Sequence, residues 1–161
     1  MKKRILIALL LGLSVAYIGC SSGRTLVMNV PSERVKAAAL AVNEDQPTVG
    51  VPPEVMKMFR EKLENTLYVG DEESPPPFKK GTELTIIYRF IQFTPGSQYK
   101  RWMTVGIGGY GEGSIVVEAK FITPAGKELA KIQAEGKSGS IESAIEQCVG
   151  EMVQYAKQNY R

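Results

Sequence analysis

Two period-two runs joined by turn chemistry restrict the fold more than anything else in the chain. From Ser114 to Ile122, apolar and polar residues alternate. Ile115, Val117, Ala119 and Phe121 fall on one side, and Ser114, Glu118 and Lys120 on the other. Successive side chains of a strand point to opposite faces, so this spacing describes a strand with one buried face. Pro124-Ala125-Gly126 supplies a turn, and Lys127 to Glu135 returns with Ala130, Ile132 and Ala134 at the same spacing. Two such runs across a short turn form a β-hairpin. Its apolar face must be buried under another layer, and the flanking segments have to provide that layer.

They do so at helical spacing. Ile141, Ala144, Ile145, Cys148, Val149, Met152, Tyr155 and Ala156 mark one stripe of a closing helix. Gly139 or Ser140 caps it, and Glu142 lies in its first turn, where the helix dipole favours negative charge. Upstream, Pro53 suits the first position of a second helix. Its buried side carries Val55, Met56, Phe59, Leu63 and Leu67, while Lys57, Arg60, Glu61 and Glu64 stay in water. Leu84 to Phe93 reads as a long strand, with Leu84, Ile86, Tyr88 and Phe90 on one face and Ile87, Ile91 and Phe93 on the other. Apolar residues on both faces predict a central strand covered on both sides. Thr25 to Val30 reads as a strand ending at Pro31. Arg34 to Val42 fits two patterns: four alanines favour helix, yet Val35, Leu40 and Val42 suit a strand. Asn43 to Pro53 and Gly70 to Gly81 are rich in proline and glycine and read as loops. The order predicts an α+β domain, a mostly antiparallel sheet with two helices packed on one face.

The N-terminus has a different logic. Lys2, Lys3 and Arg4 precede an apolar run from Ile5 to Ile18. That run is shorter than the roughly 20 apolar residues needed to span a bilayer, but it suits the core of an export signal. It ends at Tyr17-Ile18-Gly19-Cys20, with Ser21-Ser22-Gly23 behind. An apolar residue, two smaller ones and a cysteine resemble the lipobox of bacterial lipoproteins, although Tyr17 stands where that family usually has leucine. The resemblance implies a diacylglycerol on the Cys20 thiol, cleavage before Cys20 and acylation of the new amine. Ser21 stands where an inner-membrane retention signal would place aspartate, which implies an anchor in the outer membrane facing the periplasm. The alternative reading is an ordinary signal cut after Ser14-Val15-Ala16, leaving the protein unanchored. The expected organisation is a signal peptide over 1–19, a lipidated tether over 20–24 and one periplasmic domain over 25–161.

Removing the signal changes the charge argument. The chain has 20 Lys and Arg against 17 Asp and Glu, and residues 2–4 hold three of the positive charges. What remains is balanced, so the basicity belongs to targeting and argues against a nucleic-acid partner. The remainder is long enough for one domain with a real core. With Cys20 acylated, Cys148 has no partner in the chain, and no internal disulfide is expected.

Chemistry-bearing residues are sparse. There is no histidine, the commonest general base and zinc ligand. The only aspartates are Asp45 and Asp71, both in expected loops, and the neighbours Glu44-Asp45 and Glu72-Glu73 read as solvated. Cys148 lies on an apolar stripe, where cysteine behaves as a small hydrophobe. No spacing suggests a metal, and no catalytic residue or cofactor is expected. A lipid-anchored enzyme using glutamates is the least favoured reading.

One local feature stands out. Val105 to Gly113 contains Gly106, Gly108, Gly109, Gly111 and Gly113. A phosphate-binding loop needs a strand before its glycines and a helix after them. Here a strand follows, and the Gly-Lys-Ser/Thr of a P-loop is missing. The plain reading is an approach to a strand with close backbone packing. The other is a binding or membrane-facing loop that works with Tyr99, Lys100, Arg101 and Trp102, a cation–aromatic group of the kind found at interfaces.

A second resemblance covers most of residues 80–160. A strand is followed by Thr94-Pro95-Gly96-Ser97, Arg101-Trp102, the glycine run, Pro124-Ala125-Gly126-Lys127-Glu128-Leu129 and Glu135-Gly136-Lys137 before a final helix. This pattern, with Pro52-Pro53 ahead of a helix, resembles the bacterial lipoprotein family catalogued as domain of unknown function 4410. It implies a periplasmic α+β domain, similar to the sheet-and-helix domains of envelope assembly lipoproteins, and brings no activity with it. The expectation is a non-enzymatic envelope lipoprotein that binds a protein partner or supports an assembly through the glycine-rich loop and its Tyr99 to Trp102 flank. The alternative is a module for a small ligand or the cell wall, using a pocket between sheet and helix. The sequence carries no signal of oligomeric state.

Overall fold

A computed structural model of the chain describes residues 23–29, 35–69, 75–96 and 112–161. The elements are β1 (Arg24–Asn29), β2 (Ala39–Glu44), α1 (Pro53–Tyr68), β3 (Lys79–Lys80), β4 (Leu84–Thr94), β5 (Gly113–Ile122), β6 (Glu128–Ser138) and α2 (Ile141–Tyr160). The strands form one open sheet in the order β1-β6-β5-β4-β2-β3. Pairing is antiparallel from β1 to β4. At the far edge β2 runs parallel to both β4 and β3, and α1 provides the long connection that parallel neighbours require.

The expected hairpin is β5–β6. Its turn closes where Thr123 N–H donates to the Lys127 carbonyl at 2.9 Å, and Gly126 takes the positive φ of 82° that favours glycine. Ile115, Val117, Ala119 and Phe121 lie opposite Gly136, Ala134, Ile132 and Ala130, forming one apolar face. Both helices cover that face. Phe59 of α1 packs against Tyr88 and Phe90 with ring centroids 5.2 Å away in each case. Tyr155 and Tyr160 of α2 lie 5.3 and 5.0 Å from Phe121. Burying each such side chain stabilises the fold by roughly 1.5–3 kcal/mol.

Local chemistry explains where the helices begin. Pro53 occupies the first turn of α1, and Val55, Phe59, Leu63 and Leu67 are buried; Met56 is only half-buried, at the margin of the core. Ser140 caps α2, its hydroxyl oxygen accepting from Ser143 N–H at 3.2 Å, so the cap is the serine and not Gly139. Small residues on β6 let α2 settle close to the sheet. A Cβ on Gly136 would run into the Ala144 carbonyl and come within 2.9 Å of the Cys148 backbone nitrogen. Cys148 is fully buried, and its thiol donates to the Ala134 carbonyl at 3.3 Å.

One open reading is settled and several expectations change: β2 runs on to Glu44, past the expected loop start at Asn43, and β3 lies within the segment read as loop, because both pair along the edge of the sheet. The strand pattern prevails in the ambiguous segment from Ala39 onward, with Leu40 in the core. Tertiary pairing overrides the alanine helix propensity there, and the Glu83 carboxylate accepts from the N–H groups of Ala38 and Ala39 at 2.8 and 3.3 Å. β4 is interior to the sheet, but the two helices cover only one of its faces, so Ile87 and Ile91 are half-buried. Finally, the register shifts between Phe90 and Gln92, a bulge that strict alternation misses. Phe93 consequently lies opposite Ile115 and packs against the core, away from the face predicted for it.

Candidate interaction surface

Most of the residues that sequence reasoning singled out, Cys20, Tyr99, Lys100, Arg101, Trp102, Gly106, Gly108, Gly109 and Gly111, lie outside the described residues. Gly113 is the exception. It opens β5, opposite Ser138, and faces Gly96, two residues beyond the end of β4. A Cβ on Gly113 would lie 3.3 Å from the Gly96 nitrogen, and one on Gly96 would lie 3.1 Å from the Gly113 nitrogen. Two backbones meet here so closely that a side chain on either would require its neighbour to give by a few tenths of an ångström. The close approach at Gly113 is the kind of packing the plain reading expects; the rest of the glycine run lies outside the described residues. Beside Gly113, Lys137 Nζ and Glu112 Oε2 form an exposed ion pair at 2.8 Å.

The sheet face away from the helices carries a group that the sequence did not reveal. Glu118 points outward as the alternation requires, yet it is only 5 % exposed. Arg89 lies directly opposite it on β4, and Lys131 reaches it from β6. The distances are 2.7 Å from Arg89 Nη2 to Oε1 and 2.9 Å from Lys131 Nζ to Oε2. Burial raises the Glu118 carboxyl pKa, but Lys131 and then Arg89 more than offset that, leaving it below the ordinary carboxylate value. The triad ties three strands together. A charge at one position of an alternating strand was visible in sequence; its partners depended on register.

At the β1 edge, Leu26, Val27 and Met28 are exposed in succession, although the sequence marked them only as part of a strand. Between the helices, a cleft of about 680 Å³ is lined by Lys62, Asn65, Thr66, Gly150, Val153 and Lys157, among others, and the Lys62–Glu146 ion pair spans its two walls at 2.7 Å. A smaller cleft of about 330 Å³ lies between β2 and α1, where the small-ligand reading expected a pocket. Its charged groups and its tyrosine already have partners. Arg60 and Lys80 both engage Glu64, at 3.0 and 3.5 Å, and the Tyr68 hydroxyl donates to the Leu40 carbonyl at 2.8 Å.

Among the described residues, no group of three or more His, Cys, Asp or Glu could hold a metal ion. Burial pushes the Cys148 thiol far above its ordinary pKa, so it is not poised as a nucleophile. Among the described residues no helix is long and apolar enough to cross a membrane.

No family model and no curated relative matches the chain. Solved structures do. A PelC dodecamer from Paraburkholderia phytofirmans, carrying one leucine-to-methionine substitution, superposes with a TM-score of 0.57 at 12% sequence identity. The match covers 86% of this chain and 98% of that one. A second PelC dodecamer from the same organism gives a TM-score of 0.54 at 11% identity, covering 86% and 99%. At this identity the likeness is one of fold.

Proposed function

We propose that this chain is a lipid-anchored bacterial envelope protein, held at the outer membrane through Cys20 and facing the periplasm, whose domain acts without catalysis as a subunit of an assembly of like copies. One observation carries the reading: the domain matches nearly the whole length of protomers that form dodecamers, PelC from Paraburkholderia phytofirmans. One feature of the sequence agrees with the anchor: Cys20 follows a charged and then apolar export segment in lipobox arrangement. If the copies are related by cyclic symmetry, their N-termini lie on one side, so that many acyl anchors can share one membrane.

The segment from Tyr99 to Gly113 is the proposed contact for a further envelope protein. The narrow neck at Gly96 and Gly113 fixes its two ends on a rigid sheet, which is how folds commonly present binding loops.

The test is direct. The acylated protein, extracted in mild detergent, is weighed by native mass spectrometry and sedimentation, and its denatured mass gives the acyl content. Multiples of one acylated protomer mass are expected. A monomer at concentrations of about 50 μM or more, well above typical specific-interface affinities, contradicts the assembly. Retention of Cys20→Ala in membranes as a correctly cut protein contradicts the anchor.

A further inference from the structure

We infer that the β1 edge of the sheet rests on the lipid surface, with Leu26 and Met28 seated at the level of the headgroups. The inference deepens the proposed function and rests on acylation at Cys20. Its first support is where the exposed apolar side chains lie. Four large hydrophobic residues are exposed among the described residues, and three of them, Leu26, Val27 and Met28, are consecutive in β1. Isolated exposed apolar residues need no explanation, but a run on a free strand edge is a liability that proteins usually suppress. The opposite edge shows the usual device: β3 is two residues long, and both are exposed lysines. Among the described residues β1 has no such protection.

Chain length supplies the occupant. Four peptide steps separate Cys20 from Arg24, where β1 starts. A fully extended chain gains at most about 3.3–3.6 Å per residue, so Arg24 stays within about 14 Å of the acylated cysteine and Leu26 within about 22 Å. The acyl chains fix Cys20 at the interface, and β1 is the first folded element beyond it. An apolar edge held this close to a bilayer is repeatedly presented to it at high effective concentration. Arg24 is exposed at the same end of the strand, placed for anionic headgroups. The free N–H and C=O groups of the edge keep hydrogen bonds with water and headgroups, because the strand lies at the interface and does not enter hydrocarbon.

The test uses the acylated full chain in vesicles of phosphatidylethanolamine and phosphatidylglycerol. Leu26→Cys and Met28→Cys each add one accessible thiol for an environment-sensitive fluorophore, while buried Cys148 stays unlabelled. Lys57→Cys on the outer side of α1 is the reference, with the native side chain 77% exposed. Lipids spin-labelled near the headgroup should quench the probes at 26 and 28 several-fold more than the probe at 57. Equal quenching at all three positions in protein of the acylated mass overturns the inference and leaves the anchor standing. A blue shift at 26 and 28 that rises with protein concentration without lipid quenching also overturns it, assigning the edge to a second copy. A mass lacking acyl chains overturns the anchor, and the edge contact with it.

Discussion

Cys148 and Gly136 mark the same point of contact, where α2 comes down on β6. Cys148 has no exposed surface, and its thiol is committed to the Ala134 carbonyl. Thiol reagents should therefore label the native protein slowly and the unfolded protein at once; fast labelling of the native state would contradict the burial. Cys148→Ser replaces a polarisable sulfur with a hydroxyl in an apolar site and should cost about 1–3 kcal/mol in a denaturant titration. Gly136 faces the α2 backbone, which cannot rotate away as a side chain can. Gly136→Ala should destabilise by about 1–3 kcal/mol or more, because α2 must lift from the sheet to admit one methyl group. A melting temperature within about 1 °C of wild type would show that α2 can shift without cost.

Among the elements, the three central strands are tied together by Glu118. Its folded-state pKa is lower than its unfolded one, so the folded protein binds fewer protons in acid than the unfolded chain does. The stability Glu118 contributes is present above the ordinary carboxyl pKa of 4.5 and is lost as pH falls through its lower folded value. Glu64, lowered chiefly by its hydrogen bond to Arg60, has the same sign, although its partners are more exposed and its share is smaller. Glu118→Gln should lower stability near neutrality by about 1–3 kcal/mol and flatten the acid limb of the melting profile. Melts of both proteins between about pH 7 and pH 3 check this, and parallel profiles would remove Glu118 as the cause. The connection after β4 separates two roles by the same method. Gly113→Val, at the neck, should reduce stability by about 1–3 kcal/mol. Trp102→Ala and Arg101→Ala should disable complementation of a deletion strain while melting within about 0.5 kcal/mol of wild type. Full complementation by both variants would move the partner contact elsewhere.

For the molecule as a whole, the proposed assembly and membrane edge make one joint expectation: extraction, oligomer mass and lipid quenching should all depend on Cys20. The sequence by itself determined the fold class, because each helix and each hairpin strand declares its buried face locally through periods of 3.6 and 2. It also located the turn at Pro124-Ala125-Gly126, the start of α1 at Pro53 and the burial of Cys148, since each depends on neighbours within a few residues. Tertiary structure decided what depends on long-range register. Ala39–Glu44 became a strand because β4 and β3 were there to pair with it, and one bulged residue turned Phe93 inward. Glu118 gained Arg89 from one strand and Lys131 from another, partners 29 and 13 residues away that no local pattern links to it. The exposure of Leu26, Val27 and Met28 has the same origin. β1 reads as an ordinary strand, and only the sheet order makes it an edge, with β6 as its one neighbour among the described residues. Local periodicity reports which way a side chain faces; what it meets there is set by the pairing of segments distant in the chain.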